Sequence, residues 1–144
     1  MEHIAYNQEV TALLAACDLP VVDLRVNGDV CFFGLRQEGD LLGVIGIEVH
    51  GDIGLLRSLA IPVAHRGKGL GQQLVAYAEE WAIRSGLKAL YLLTTTAGEL
   101  FKRLGYAELS RSQAPKAITE TPQFAGLCPA SSSFMFKELS ASNS

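Results

Sequence analysis

The stretch Arg66-Gly67-Lys68-Gly69-Leu70-Gly71 constrains this chain most, because of what stands on either side of it. Ile53 to Ile61 reads as a strand that Pro62 stops. Leu70, Leu74, Ala78, Trp81 and Ala82 form an i, i+4, i+8 apolar stripe on a helix that opens near Leu70 and that Gly86 caps. Leu87 to Leu93 is nearly all apolar, the pattern of a strand covered on both faces and lying parallel to the one before the helix. The centre of the chain is therefore a β-α-β unit with three glycines at its turn.

Glycines at 67, 69 and 71 let backbone N–H groups close around an anion, and they reach backbone angles that other residues avoid. The first N–H groups of the helix lack intrahelical partners and carry a dipole worth roughly half a positive charge, which favours a phosphate. Arg66 and Lys68 are expected to add mobile positive charge. Two familiar phosphate motifs fit worse. A P-loop requires glycine at position 62, where Pro62 stands, and Ser or Thr at 69, where Gly69 stands. A dinucleotide fingerprint requires a third glycine where Gln72 stands and an acid near Ala89 to Leu93, which holds none. An ordinary flexible turn is the bland alternative.

A chain of 144 residues is one domain by length and can bury on the order of 70% of its unfolded surface. Its net charge of -3, with 19% charged and 49% apolar residues, carries no polybasic signature and argues against nucleic acid as a partner. The apolar run Leu41 to Ile47 is too short to span a bilayer, so no membrane association is expected. Leu14-Ala15-Ala16-Cys17 resembles a lipoprotein processing site, but Glu2 and Glu9 precede it and no Lys or Arg does, so it reads as helix. Cys17, Cys31 and Cys128 suggest neither a disulfide framework nor a metal site, and a reducing cytoplasm is the expected location.

Along the chain, His3 to Tyr6 reads as a first strand and Asn7 as the cap of a helix carrying Val10, Leu13, Leu14 and Cys17, which Asp18-Leu19-Pro20 ends. Cys31 to Leu35, Leu41 to Val49 and Ile53 to Ile61 form an antiparallel meander through turns at 36–40 and 50–52. A short helix from Ala97 to Leu104 stops at Gly105. Tyr106 to Leu109 and Phe134 to Leu139 are the remaining strand candidates, separated by a polar stretch from Ser110 to Ala130. One domain over 1–139 with a frayed tail at 140–144 follows.

Arg66-x-x-Gly69-x-Gly71 after Ser58-Leu59-Ala60-Ile61-Pro62, then Tyr91 to Thr94 and Phe101-Lys102-Arg103-Leu104-Gly105-Tyr106, resembles the GNAT acyltransferase superfamily along most of the chain. The resemblance implies an α/β (α+β) fold: a mixed, mostly antiparallel, splayed sheet with flanking helices, whose fourth and fifth strands part to admit the pantetheine arm of acetyl-CoA. By the same resemblance, the main chain at Leu59, Ala60 and Ile61 pairs with pantetheine amides, and Arg66, Gly67, Lys68, Gly69, Leu70 and Gly71 hold the pyrophosphate. More narrowly, Phe32-Phe33-Gly34-Leu35, Leu55 to Ala60, Tyr91 to Ala97 and Phe124 to Ser131 resemble the GNAT family encoded with arsenic-resistance genes. Some of these segments also resemble the acetyltransferase part of N-acetylglutamate synthases.

The resemblance implies attack by a neutral amine on a thioester, an oxyanion held by a backbone N–H, and departure of the coenzyme A thiolate, with no metal required. Many GNAT enzymes protonate the departing sulfur with a Tyr at the position that falls here on Phe101, which leaves Phe101 as a cofactor contact without an acid. A thiol of pKa near ~8.5 is already a tolerable leaving group at neutral pH. Thr94, Thr95 and Thr96 sit at the mouth of the expected opening; Thr94 is assigned to the cofactor and Thr95 to catalysis, beside the alternative that such hydroxyls bond their own backbone. Glu48 and His50 are the general-base candidates, and His50 also a substrate contact. Arg57 and Ser58 are expected on opposite faces of one strand, Arg57 as a holder of substrate oxyanions or else an exposed strand residue, Ser58 as a catalytic candidate. His65 is expected to face solvent, and Cys128 to pack rather than react.

A lysine-type amine is under roughly 0.1% neutral at pH 7 and demands a strong base that this chain does not display. The expected acceptor is therefore a less basic amine on a small anionic molecule, an arsenical or an amino-acid-like compound. The alternatives are a non-catalytic acyl-CoA sensor and a glutamate-type N-acetyltransferase. Homodimerisation through the C-terminal strands is the family expectation.

Overall fold

In the computed structural model, the described residues are 2–4, 8–17, 30–67, 69–94, 98–121 and 133–139. The expectations for Tyr6, Asn7, 18–20, Lys68, 95–97, the 124–131 segment with Cys128, and the 140–144 tail lie outside them.

Among the described residues, seven strands form one sheet in the order β1-β2-β3-β4-β5-β7-β6. They are β1 (Glu2–Ile4), β2 (Val30–Gln37), β3 (Asp40–His50), β4 (Ile53–Ala60), β5 (Ala89–Thr94), β6 (Ala107–Glu108) and β7 (Ser133–Glu138). Every neighbouring pair is antiparallel except β4 and β5, which are parallel. That single parallel contact is the one the β-α-β reading requires, since α2 (Leu70–Arg84) makes the crossover. The expected mixed, mostly antiparallel sheet is what forms. Its first hairpin turns on Glu38 and Gly39, both at positive φ, as a two-residue turn matched to strand twist requires.

Alternation along the strands sorts the core onto two faces. Phe33, Ile45, Ile47 and Leu56 pack on one side with Leu74, Val75, Ala78 and Ala82 of α2, together with Phe101 of α3 (Gly98–Arg103). Phe32, Val44 and Ala60 pack on the other side with Val10 and Leu14 of α1 (Gln8–Ala16). Farther along that side, Leu55 and Phe134 meet Ile118 of α4 (Lys116–Thr119). The buried stripe of α2 includes Val75, while Leu70 and Trp81 lie half-buried at its flanks, because the contact face centres between the 74 and 75 rows. Within the polar stretch after β6, a capping box of Ser110 and Gln113 closes a 3₁₀ turn and α4 follows. These two short elements are unforeseen, though Ser-x-x-Gln is a legible start signal.

The Phe101-to-Tyr106 motif acquires a physical meaning as a helix stop. Tyr106 N–H donates to the Phe101 carbonyl at 2.9 Å and Gly105 N–H to Lys102 at 3.1 Å, with Gly105 at φ 98°. The two aromatic rings that this turn brings together meet edge to face at 5.2 Å. Tyr106 Oη then donates to Glu79 on α2 at 2.8 Å, and Lys137 of β7 donates to the same carboxylate at 3.2 Å. Burial first, then the Glu79 charge and the bond to it, push the phenol far above its usual range. A raised folded value means that this contribution is complete at neutral pH and lost as pH climbs past ~10, where the unfolded phenol ionises. Tyr106→Phe removes a bond to a charged acceptor and is expected to cost roughly 1–3 kcal/mol. Urea denaturation checks it: the midpoint should fall at constant m-value, and an unmoved midpoint would leave the bond without energetic weight.

A candidate active site at the parting of the sheet

The β4–β5 ladder runs for Ile53↔Ala89, Gly54↔Leu90, Leu55↔Tyr91 and Leu56↔Leu92, and then stops. Beyond it β4 stays with β3 as far as Ala60↔Val44, and β5 stays with β7 as far as Thr94↔Ser133. The two strands therefore part after Leu56 and Leu92, and the main chain of Leu59 and Ala60 borders the gap. Ile61 lies just past β4, and its carbonyl accepts from Arg66 Nε at 2.8 Å.

A bulge marks the start of the gap. Between Gly46↔Arg57 and Val44↔Ala60, β4 advances by one residue more than β3, and Ser58 takes up φ 59°. This left-handed residue breaks the alternation on which opposite faces for Arg57 and Ser58 were expected. Instead Arg57 Nε donates to Ser58 Oγ at 3.3 Å, so the two side chains meet.

From there a buried polar chain runs along β3. Arg57 Nη1 donates to Glu48 Oε1 at 3.1 Å, and Glu48 Oε2 lies 2.6 Å from His50 Nε2. Glu48 and Arg57 are both 0% exposed in their side chains, whereas His50 is 24% exposed. Arg57 is thus no exposed strand residue. Alternation places Glu48, His50 and Arg57 on one face, and the chain joins the edge of the gap to the surface near the β3–β4 turn.

At the open end of the gap the chain leaves β4, makes a 3₁₀ turn at Val63–His65 with His65 partly buried, and enters α2. Gly69 is the N-cap, at φ 77°, with no side-chain cap, and its carbonyl accepts from Gln73 N–H at 3.1 Å. Gly67 is also left-handed, at φ 81°. Gly71 differs: its φ is not positive, and a Cβ there would sit in ordinary contact 3.5 Å from Ile61 and Leu100. Among the described residues, neither backbone angle nor packing requires glycine at 71.

Arg66 is anchored rather than mobile, because its guanidinium bonds the Ile61 carbonyl and Cys17 Sγ, the latter at 3.5 Å. Cys17, read in the sequence only as a helix residue, thus braces the same corner. Phe101 is 4% exposed within the core against Tyr106, and Thr94 is half-buried at the end of β5. Lys68, Thr95 and Thr96 lie outside the described residues. Among the described residues, no group of three or more His, Cys, Asp or Glu could hold a metal ion, and no helix is long and apolar enough to cross a membrane.

Residues 4–106 match the model of the Acetyltransferase (GNAT) family. The chain belongs to the GNAT acetyltransferase family. An uncharacterised N-acetyltransferase of Chlorobaculum tepidum is 33% identical over 88 residues, which are 60% of this chain and 56% of that protein. Among solved structures, N-acetylglutamate synthase from Neisseria gonorrhoeae, complexed with coenzyme A and N-acetyl-glutamate, superposes with TM-score 0.77 at 20% identity. That match covers 94% of this GNAT chain and 34% of the synthase chain. A GNAT acetyltransferase from Staphylococcus aureus superposes with TM-score 0.74 at 15% identity, over 96% of this chain and 99% of its own. At these identities the structural likenesses establish the fold. The GNAT chain spans just over half the length of the Chlorobaculum relative and a third of the synthase.

Proposed function

We propose that this GNAT protein transfers the acetyl group of acetyl-CoA to the nitrogen of a small amine. One observation carries the reading: the gap beside Leu59 and Ala60 opens toward the uncapped, glycine-lined start of α2, so one extended ligand can use both. Pantetheine amides pair with the main chain of Leu59, Ala60 and Ile61. The diphosphate rests on amides from Arg66 to Gly71, with Lys68 adding charge and Arg66 bracing the corner. Thr94, at the end of β5, flanks the arm, and the sequence resemblance nominates Thr95 and Phe101 for the same site.

The neutral amine attacks the thioester carbonyl carbon, the oxyanion collapses, and the electron pair of the C–S bond leaves on sulfur. Glu48 or His50 takes the proton that the nitrogen loses, directly or through water. Arg57, buried against Glu48, holds that carboxylate in place rather than clamping a substrate anion. The acceptor is an amine less basic than a lysine side chain, such as an α-amine or arylamine, and the sequence resemblances nominate aminoarsonates and glutamate within that class. Use of acetyl-CoA places the reaction in the cytoplasm, and dimerisation would use β6 and β7.

The test pairs thermal melting in acetyl-CoA with release of coenzyme A, read by a thiol reagent, over amino acids, aminophosphonates, aminoarsonates and lysine. Saturation at about 100 times Kd should stabilise the protein by ~2.7 kcal/mol, and α-amines or arylamines should outpace lysine. Lysine proving best would overturn the acceptor class. Stabilisation without turnover on any amine would favour an acyl-CoA sensor, the second reading, which the hydroxyl-free Phe101 supports. No stabilisation at all would remove the cofactor assignment.

A further inference from the structure

Ser58 holds a backbone conformation that serine avoids, at φ 59°, on the register break where β4 leaves β5. Such strain persists where the surroundings over-determine it, and it clusters at functional sites. Glycine would make the same bend without the penalty, so the bend alone does not account for serine. The residue is 9% exposed, and its Oγ accepts the Nε–H of Arg57, which Glu48 fixes from the other side. Arginine can only donate, so this contact uses Ser58 as an acceptor and leaves the hydroxyl's own hydrogen to be given elsewhere. Among the described residues, no acceptor takes it.

We propose that the Ser58 hydroxyl is aimed into the gap and donates a hydrogen bond to the thioester sulfur as the C–S bond breaks, an assignment that rests on the acyl-transfer reading above. The amine lone pair forms the new C–N bond, the carbonyl re-forms, and the thiolate that departs with the electron pair is the species the hydroxyl stabilises. A serine hydroxyl does not surrender its proton to a thiolate whose conjugate thiol has pKa ~8.5, so Ser58 ends the cycle unchanged, and the proton lost by nitrogen leaves separately. The bond supplies at the sulfur what Phe101, buried and without a hydroxyl, does not.

Ser58→Gly and Ser58→Ala in the full chain separate this role from a structural one. Ser58→Gly should melt about 2–4 °C higher through relief of strain. Both variants should bind acetyl-CoA with unchanged Kd, while kcat drops roughly 10–100-fold. A Ser58→Gly protein that is more stable and fully active overturns the assignment, as does a loss confined to acetyl-CoA affinity. Wild-type protein that fails to release coenzyme A in the presence of any of the amines tested would instead remove the acyl-transfer reading, and the assignment with it.

Discussion

Gly71→Ala should make the fold more stable and the proposed cofactor site worse. At the second position of α2 the added methyl group meets Ile61 and Leu100 at 3.5 Å, an ordinary contact, and the glycine has no left-handed angle to lose. Replacing a helical glycine by alanine gains up to about 1 kcal/mol. The same methyl group occupies the surface where a diphosphate would close on the amides of 69–71. Loss or lengthening of one charge-assisted bond, at ~1.5–3 kcal/mol, weakens acetyl-CoA binding roughly 10–100-fold. Melting without ligand and calorimetric titration with acetyl-CoA check the two halves separately. An unchanged Kd would mean that the ligand does not approach α2 there. Gly69→Ala is the poorer probe, because φ 77° strains any side chain and would lower stability and affinity together.

Glu48→Ala should be the most damaging single substitution for stability. It takes the Glu48 carboxylate away from the fully enclosed Arg57 guanidinium, and breaking a buried pair in this way costs about 3–5 kcal/mol. For a domain of this size the melting temperature should fall by roughly 6–20 °C. The double replacement Glu48→Leu with Arg57→Met should recover most of that loss, because it removes both members of the buried pair together. Thermal melting of the two single variants and the double variant tests the coupling. A Glu48→Ala protein within ~1 kcal/mol of wild type would show that water enters the pair and that the chain from Ser58 to His50 is not sealed.

Much of this architecture is legible in the residues because periodicity and punctuation agree. The meander, the crossover helix and the last strand follow from apolar runs bounded by Glu38-Gly39, Gly51-Asp52, Pro62, Gly86 and Gly105. The site is less legible. Nothing in Arg57-Ser58-Leu59 announces a left-handed serine, since any bulge is set by how three strands compete for hydrogen bonds rather than by local propensity. Alternation therefore predicts the wrong relation between Arg57 and Ser58. Arg66 next to Cys17 spans 49 residues of sequence, a separation over which no spacing rule operates. Val75 escapes the i, i+4 stripe because a helix lying on a twisted sheet presents a broad band rather than a single row.

Among the described residues, four pairs sew β1–β4 to β5–β7 within the sheet. Past that seam, among the described residues, the sheet has room between β4 and β5 for one more strand. A bound chain with its own amides would act as the missing thread, lengthening the seam and turning two leaves into one continuous page. Grip on such a visitor would then depend little on which side chains line the slit, so mutation could reshape those side chains while leaving that grip intact.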